Sequence, residues 1–176
     1  SILVCLALSG CAGSPVRNES DRFFEAPLIP ELRLELGELE MSALREDPRA
    51  YVSATLREGG LAHPRIAVKL KGAAGSFQSV DERPCFTVNV SKFVKGQTFH
   101  AMSRFHLNNS LQDPTCLHEQ IAARLFTDAG LPASRAAHAR LWLNGRDLGL
   151  YVLKEGFDSH FLARHFRVAT GNFYDG

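Results

Sequence analysis

The chain carries no excess of charge of either sign. Twenty Lys and Arg stand against nineteen Asp and Glu, a formal net charge of +1, which gives no electrostatic argument for a nucleic-acid or acidic partner. No apolar run is long enough to span a bilayer as a helix. No internal repeat or low-complexity tract is visible, which sets aside repeat architectures. The Gly-x-Ser-x-Gly elbow is missing, which argues against a serine hydrolase of that type. The seven histidines are scattered. His160 and His165 are not at the helical spacing of four, and no zinc pattern appears. Cysteines are few: Cys5, Cys11, Cys85 and Cys116.

What is present suits one ordinary domain. At 176 residues with 45% hydrophobic content, the chain can bury a sizeable core. The first stretch, SILVCLALSGC, is an apolar run ending in Leu8-Ser9-Gly10-Cys11. It resembles the lipobox of bacterial lipoproteins, in which an apolar segment engages the export machinery and small residues admit the peptidase. On that reading residues 1–11 are signal peptide and lipobox, Cys11 carries the lipid, and the protein is exported and membrane-anchored. The other reading is a buried N-terminal strand with two core cysteines. An exported compartment would let Cys85 and Cys116 pair, and buried thiols are the alternative. Residues 12–28 mix Gly, Ser, Pro, Asn and charges, and read as a tether.

The remainder, 29–176, alternates strand and helix signals. Leu32, Leu34 and Leu36 alternate with charges, as a half-buried strand does. A short helix over 38–44 and strands over 51–57, 65–71, 84–90 and 104–107 follow. Asp113-Pro114 predicts a helix start. The helix over 115–129 sets Leu117, Ile121, Leu125 and Phe126 on one side, expected to pack on a sheet holding Leu141 and Leu150. Gly130 stops it. Strands over 137–143 and 146–153 flank Asn144-Gly145, a two-residue hairpin signal. Residues 157–166 read as an amphipathic helix.

Several short pieces recur in order: Lys69-Leu70-Lys71-Gly72, Phe105-His106-Leu107-Asn108-Asn109, Asp113-Pro114-Thr115, Asp128-Ala129-Gly130-Leu131-Pro132, Leu143-Asn144-Gly145, Gly149-Leu150-Tyr151 and Glu155. Each alone is weak. Their order and spacing resemble the spore-coat protein H (CotH) kinase family, over residues 29–176. The resemblance implies an atypical, surface-anchored protein kinase using ATP with magnesium or manganese and acting on a protein substrate. It also implies an α+β fold: an antiparallel sheet with a packed helix, like the small lobe of a protein kinase. The C-terminal half, with the metal ligands and the catalytic base, is then expected beyond Gly176. A non-catalytic surface or spore-coat scaffold with the same fold is the alternative. A carbohydrate-associated envelope module is a third reading, to which no residue pattern points.

The resemblance nominates residues for phosphoryl transfer, which needs positive charge on the phosphates and a positioned acceptor. Lys71, Glu119 and Arg104 are the catalytic candidates. Lys71 would touch phosphate, and Glu119 would pair with Lys71 or Arg104. Lys71, Gly72, Gly75, Ser76 and Glu155 are the nucleotide-binding candidates. Gly72, Gly75 and Ser76 would bring backbone N–H groups to a phosphate, although the segment has no Walker pattern. Glu155 would mark a hinge beside the adenine. The plain alternatives are a flexible loop, a solvated strand lysine, and a Glu stabilised by a helix dipole. One departure stands out. The family often carries basic residues on the strand that here holds Thr87 and Asn89. No metal ligand is assigned.

Overall fold

Leu32 and Leu34 alternate with Glu31, Arg33 and Glu35, and this pattern closes the structure. In the computed structural model, which describes residues 18–168, strand β1 (Glu31–Glu35) buries both leucines and exposes its three charges. It pairs antiparallel with β2 (Val52–Glu58) and parallel with β6 (Ala136–Leu143). The remaining strands are β3 (Leu61–Lys71), β4 (Cys85–Asn89), β5 (Arg104–Asn108) and β7 (Arg146–Glu155). Going round, the order is β1-β2-β3-β4-β5-β7-β6, a closed barrel. Closure leaves none of these strands with an unpaired edge.

The barrel interior is filled by side chains. Leu34, Leu56, Val68, Phe86, Phe105 and Leu107 lie wholly out of solvent, because alternate residues of each strand turn inward. Helix α2 (Glu38–Glu46) adds Met41 and Leu44 to the same core. Helix α1 (Glu19–Glu25) packs Phe23 and Phe24 against it. That helix lies within the stretch read as tether, and Asn18 and Asp21 start it with a reciprocal capping box. Residues 1–17, with Cys11 and the stretch read as signal peptide and lipobox, lie outside the described residues. So do residues 169–176.

The Asn144-Gly145 turn does more than join β6 to β7. Both residues have positive φ, 47° and 81°, as a tight hairpin of this type requires. The Asn144 side chain accepts from the Leu36 N–H at 2.8 Å and donates to the Leu36 carbonyl at 3.0 Å. The hairpin tip thus fastens the end of β1, where the barrel closes.

The α+β expectation of an antiparallel sheet with a packed helix, a kinase small lobe, is overturned. The fold is a mixed seven-stranded closed barrel with four short helices among the described residues. Two physical reasons account for the error. The alternation at 31–35 identifies a strand without saying which edges it joins, and β1 joins two. The apolar spacing on helix α3 (His118–Asp128) identifies a face without saying what covers it. That helix buries no residue of its own. Ile121 is 52% and Leu125 65% exposed, so they do not pack on Leu141 and Leu150. The helix also starts later than Asp113-Pro114 suggested. Asp113 accepts from Thr115 and His118 N–H groups and organises a turn ahead of it. Its end is as read: Gly130 and Leu131 donate back to Thr127 and Phe126, closing a Schellman motif.

Candidate functional site

The outer face of β3, β4, β5 and β7 gathers polar side chains because the inner face has taken the apolar ones. One rung crosses all four strands: Lys69 opposite Thr87, Thr87 opposite His106, His106 opposite Lys154. Thr87 Oγ1 and His106 Nδ1 share a hydrogen bond at 3.2 Å. Lys71 and Asn108 lie one step along on the same face, two residues from Lys69 and His106. Arg104 lies one step the other way.

His106 is surrounded by positive charge. Burial, and then Lys71, Lys154, Arg104 and Lys69, push its pKa down to about 3. The imidazole is therefore neutral at physiological pH while four cations converge on it. Arg104 contributes to that cluster with its Nε buried and without a hydrogen-bond partner among the described residues. Such a donor is costly unless something satisfies it.

Glu119, in the first turn of α3, reaches the same face. Its Oε1 accepts from Asn108 Nδ2 at 2.6 Å, and its Oε2 lies 3.4 Å from Lys154 Nζ. Asn108 Oδ1 in turn accepts from Lys71 Nζ at 3.0 Å. Lys71 and Glu119 are thus linked through an amide rather than directly. A cleft of about 350 Å³ opens between them, lined by Lys71, Gly72, Ser76, Asn108, Asp113 and Glu119. A second hollow of about 460 Å³ adjoins it, with Glu119, Phe126, Pro132, Ser134, Lys154 and Phe157 in its wall.

The loop after β3 forms one wall of the first cleft. Gly72 sits at φ 115°, and a Cβ there would lie 3.0 Å from the Phe77 backbone, so only glycine suits the position. Ser76 and Phe77 N–H groups donate to the Ala73 carbonyl, and Ala73 N–H donates to Ser76 Oγ. The Asn108-Asn109 pair divides its work. Asn108 faces the cleft, while Asn109, 2% exposed, donates to the Ser76 and Arg83 carbonyls and pins the loop to the barrel. Cys85 accepts from the Asn109 N–H, and burial raises its thiol pKa. Cys85 and Cys116 are both buried free thiols.

The structure therefore brings Lys71, Gly72, Ser76 and Glu119 together. It places Gly75 in the same loop, against Gln112. Arg104 is on the cationic face but not in the Lys71–Glu119 linkage. Glu155 is elsewhere in role: 4% exposed, its carboxylate is held by Arg135 at 2.8 Å and by Arg164. Sequence reasoning did not nominate His106, Asn108, Lys69 or Lys154. The signal was available in the alternation of β5 and β7, which puts His106, Asn108 and Lys154 opposite their buried neighbours.

A family model described as CotH kinase protein matches residues 68–176, more than half the chain. The chain belongs to the CotH kinase protein family. The matched span runs from the middle of β3 onward and holds every residue of the cationic face. Inner spore coat protein H of Bacillus subtilis (strain 168) is 28% identical over 79 residues. That alignment covers 45% of this chain and 22% of the relative, so the CotH family chain matches about a fifth of that relative's length.

Proposed function

We propose that this chain forms the phosphate-holding part of an ATP-dependent protein kinase, with the nucleotide's phosphates on the face around His106. The observation that carries the reading is the convergence of Lys69, Lys71, Arg104 and Lys154 on one neutral imidazole. Phosphoryl transfer draws mainly on positive charge and position. Arg104 Nε, buried and without a hydrogen-bond partner among the described residues, is a donor that a phosphate oxygen would satisfy. Lys71 would bind phosphate, with Glu119 setting its place through Asn108. Gly72, Gly75 and Ser76 would border the phosphates from the loop side.

Magnesium or manganese would supply further charge neutralisation. Among the described residues no three His, Cys, Asp or Glu side chains are grouped to hold a metal, so no residue here is assigned to one. We place the metal ligands and the catalytic base in the rest of a longer protein, which is the partner this chain implies, beside its protein substrate. The resemblance of Leu8-Ser9-Gly10-Cys11 to a lipobox supports export and a lipid anchor at Cys11. A coat scaffold is the second reading, favoured by the likeness to an inner spore coat protein of Bacillus subtilis.

Titration of the full-length protein with ATP plus magnesium or manganese, followed by radiolabel transfer to protein, tests the enzyme reading. Lys71→Ala is expected to weaken ATP binding about tenfold or more, the loss of one charged hydrogen bond. A full-length protein that binds no nucleotide would favour the scaffold.

A further inference from the structure

Three large aliphatic side chains stand in solvent around one end of the barrel. Leu28 is 81%, Ile29 54% and Leu61 66% exposed. Leu28 and Ile29 come just before β1, and Leu61 opens β3 after the Gly59-Gly60 turn. Register brings these two pieces together: Leu32 stands opposite Glu58, so the residues ahead of β1 run out beside that turn. A hollow of about 790 Å³ lies there, with Phe23, Ala26, Leu28, Ile29, Pro30 and Gly59 in its wall. Helix α1 forms one side and is held by His100. That ring bonds Glu58 through Nε2 at 2.5 Å, lies 3.2 Å from Glu19 through Nδ1, and stacks on Phe23. Charge on the wall is balanced, with Glu19, Glu31 and Glu58 against Arg22, Arg33 and His100. An apolar rim without excess charge suits an apolar partner rather than an ionic one. Asn18, which starts α1, adjoins Glu19 of the same wall and is seven positions from Cys11.

We propose that this end of the barrel lies on a lipid bilayer, with Leu28, Ile29 and Leu61 entering the headgroup boundary. The proposal rests on the lipid-anchor reading above and goes beyond it, because an anchor only tethers whereas this face orients. A chain that leaves the wall of the hollow and reaches an acylated Cys11 within seven positions keeps the three aliphatics close to the bilayer, and a short tether makes their docking an intramolecular event. Entering the boundary removes their apolar surface from water. Pro27 and Pro30 bracket Leu28 and Ile29 and have no N–H to desolvate. The orientation has a consequence for the cationic face. Strand β3 begins at Leu61 and ends at Lys71, ten steps of about 3.3 Å each, which sets Lys71 on the order of 30 Å along the strand from the docking end. That is well beyond the roughly 10 Å over which exposed charges act in salt, so headgroup phosphates do not compete for Lys71 and its neighbours.

Vesicle flotation decides it. The full-length mature protein is produced without residues 1–10 and with Cys11→Ser, so that no acyl chain takes part, and is floated with phosphatidylcholine vesicles and with phosphatidylglycerol vesicles. It is expected to bind both, with little change between low and high salt, because apolar burial is not screened. Leu28→Ser combined with Ile29→Ser is expected to lower the ratio of bound to free protein about tenfold or more, and Leu61→Ser to lower it less. Leu28→Trp is expected to raise it, since Trp favours the membrane interface. Leu39, 84% exposed on α2 beyond the other end of β1, is the comparison, and Leu39→Ser should change nothing. Melting temperatures should match the parent's because all these side chains are exposed, and Leu28→Trp tests the same position by a gain rather than a loss. Absent flotation, binding that vanishes at high salt, or an equal loss from Leu39→Ser would overturn the proposal. Self-association abolished by Leu28→Ser, without flotation, would assign the face to a second copy of the chain and overturn it too. Flotation with the variant pattern intact, in a protein whose native Cys11 is unmodified by mass, would support the docking face and overturn the anchor. An acylated Cys11 without flotation of the unacylated form would do the reverse.

Discussion

At the scale of single residues, His106 is the most informative side chain. Its folded form resists protonation until about pH 3 because it is buried among cations, whereas the unfolded chain takes up that proton near pH 6.5. Between those values the unfolded state binds more protons, so stability rises with pH. The contribution is full above about pH 6.5 and is lost as pH falls toward 3. His106→Gln, which can still bond Thr87, is expected to flatten this part of the acid limb. The check is the difference in melting temperature between parent and variant at a series of pH values from 7 to 4. Reading the difference matters, because His100 titrates the opposite way. Its bond to Glu58, aided by Glu19, raises its pKa, so its contribution is present below about pH 6.5 and fades as pH rises through the folded value. An unchanged acid limb in His106→Gln would mean that the ring is not held neutral.

At the scale of elements, the barrel depends on how β1 is fastened. Asn144→Ala would remove both bonds to the Leu36 backbone and force a Cβ residue without a local polar partner to φ 47°. We expect a loss of about 2–4 kcal/mol by denaturant titration, from two hydrogen bonds and left-handed strain. Asn144→Gly relieves the strain but not the lost bonds, and should recover about 1 kcal/mol of that. If the two variants are equally stable, backbone strain at this turn contributes nothing. Elements of this kind were largely legible beforehand. Alternating leucines at 32 and 34, the Asn-Gly turn and the Gly130 stop are local signals, each with a short-range cause. What could not be read locally was pairing. Nothing within 31–35 tells that one edge meets β2 and the other meets β6, over a hundred residues later. The site shows the same division. Lys71, Gly72, Ser76 and Glu119 were nominated by the family resemblance and not by any local pattern of their own. Asn108 and Lys154 matter because register sets them beside Glu119, and register is a property of the closed sheet.

At the scale of the whole molecule, the two ends of the described chain converge on one buried carboxylate. Glu155 holds Arg135 and Arg164. Arg135 also pairs with Asp21 of α1 at 2.6 Å and bonds Ser20. Arg164 belongs to helix α4 (Ser159–His165), which Asp158 caps. The anchoring prediction belongs at this scale. Intact-mass measurement of the mature protein is expected to show a chain beginning at an acylated Cys11, and Cys11→Ser is expected to release it from membranes. A mature protein that keeps residues 1–10, or an unmodified Cys11, would remove the anchor. With the anchor in place, the joint at Glu155 acquires a mechanical meaning. Asn18 starts α1, and the seven peptide steps from Cys11 to Asn18 span at most about 25 Å when fully stretched. The barrel would therefore ride on a short leash, attached at α1, which Arg135 ties to Glu155. A pull from the membrane would load that charged joint before it reached the strands that carry the cations.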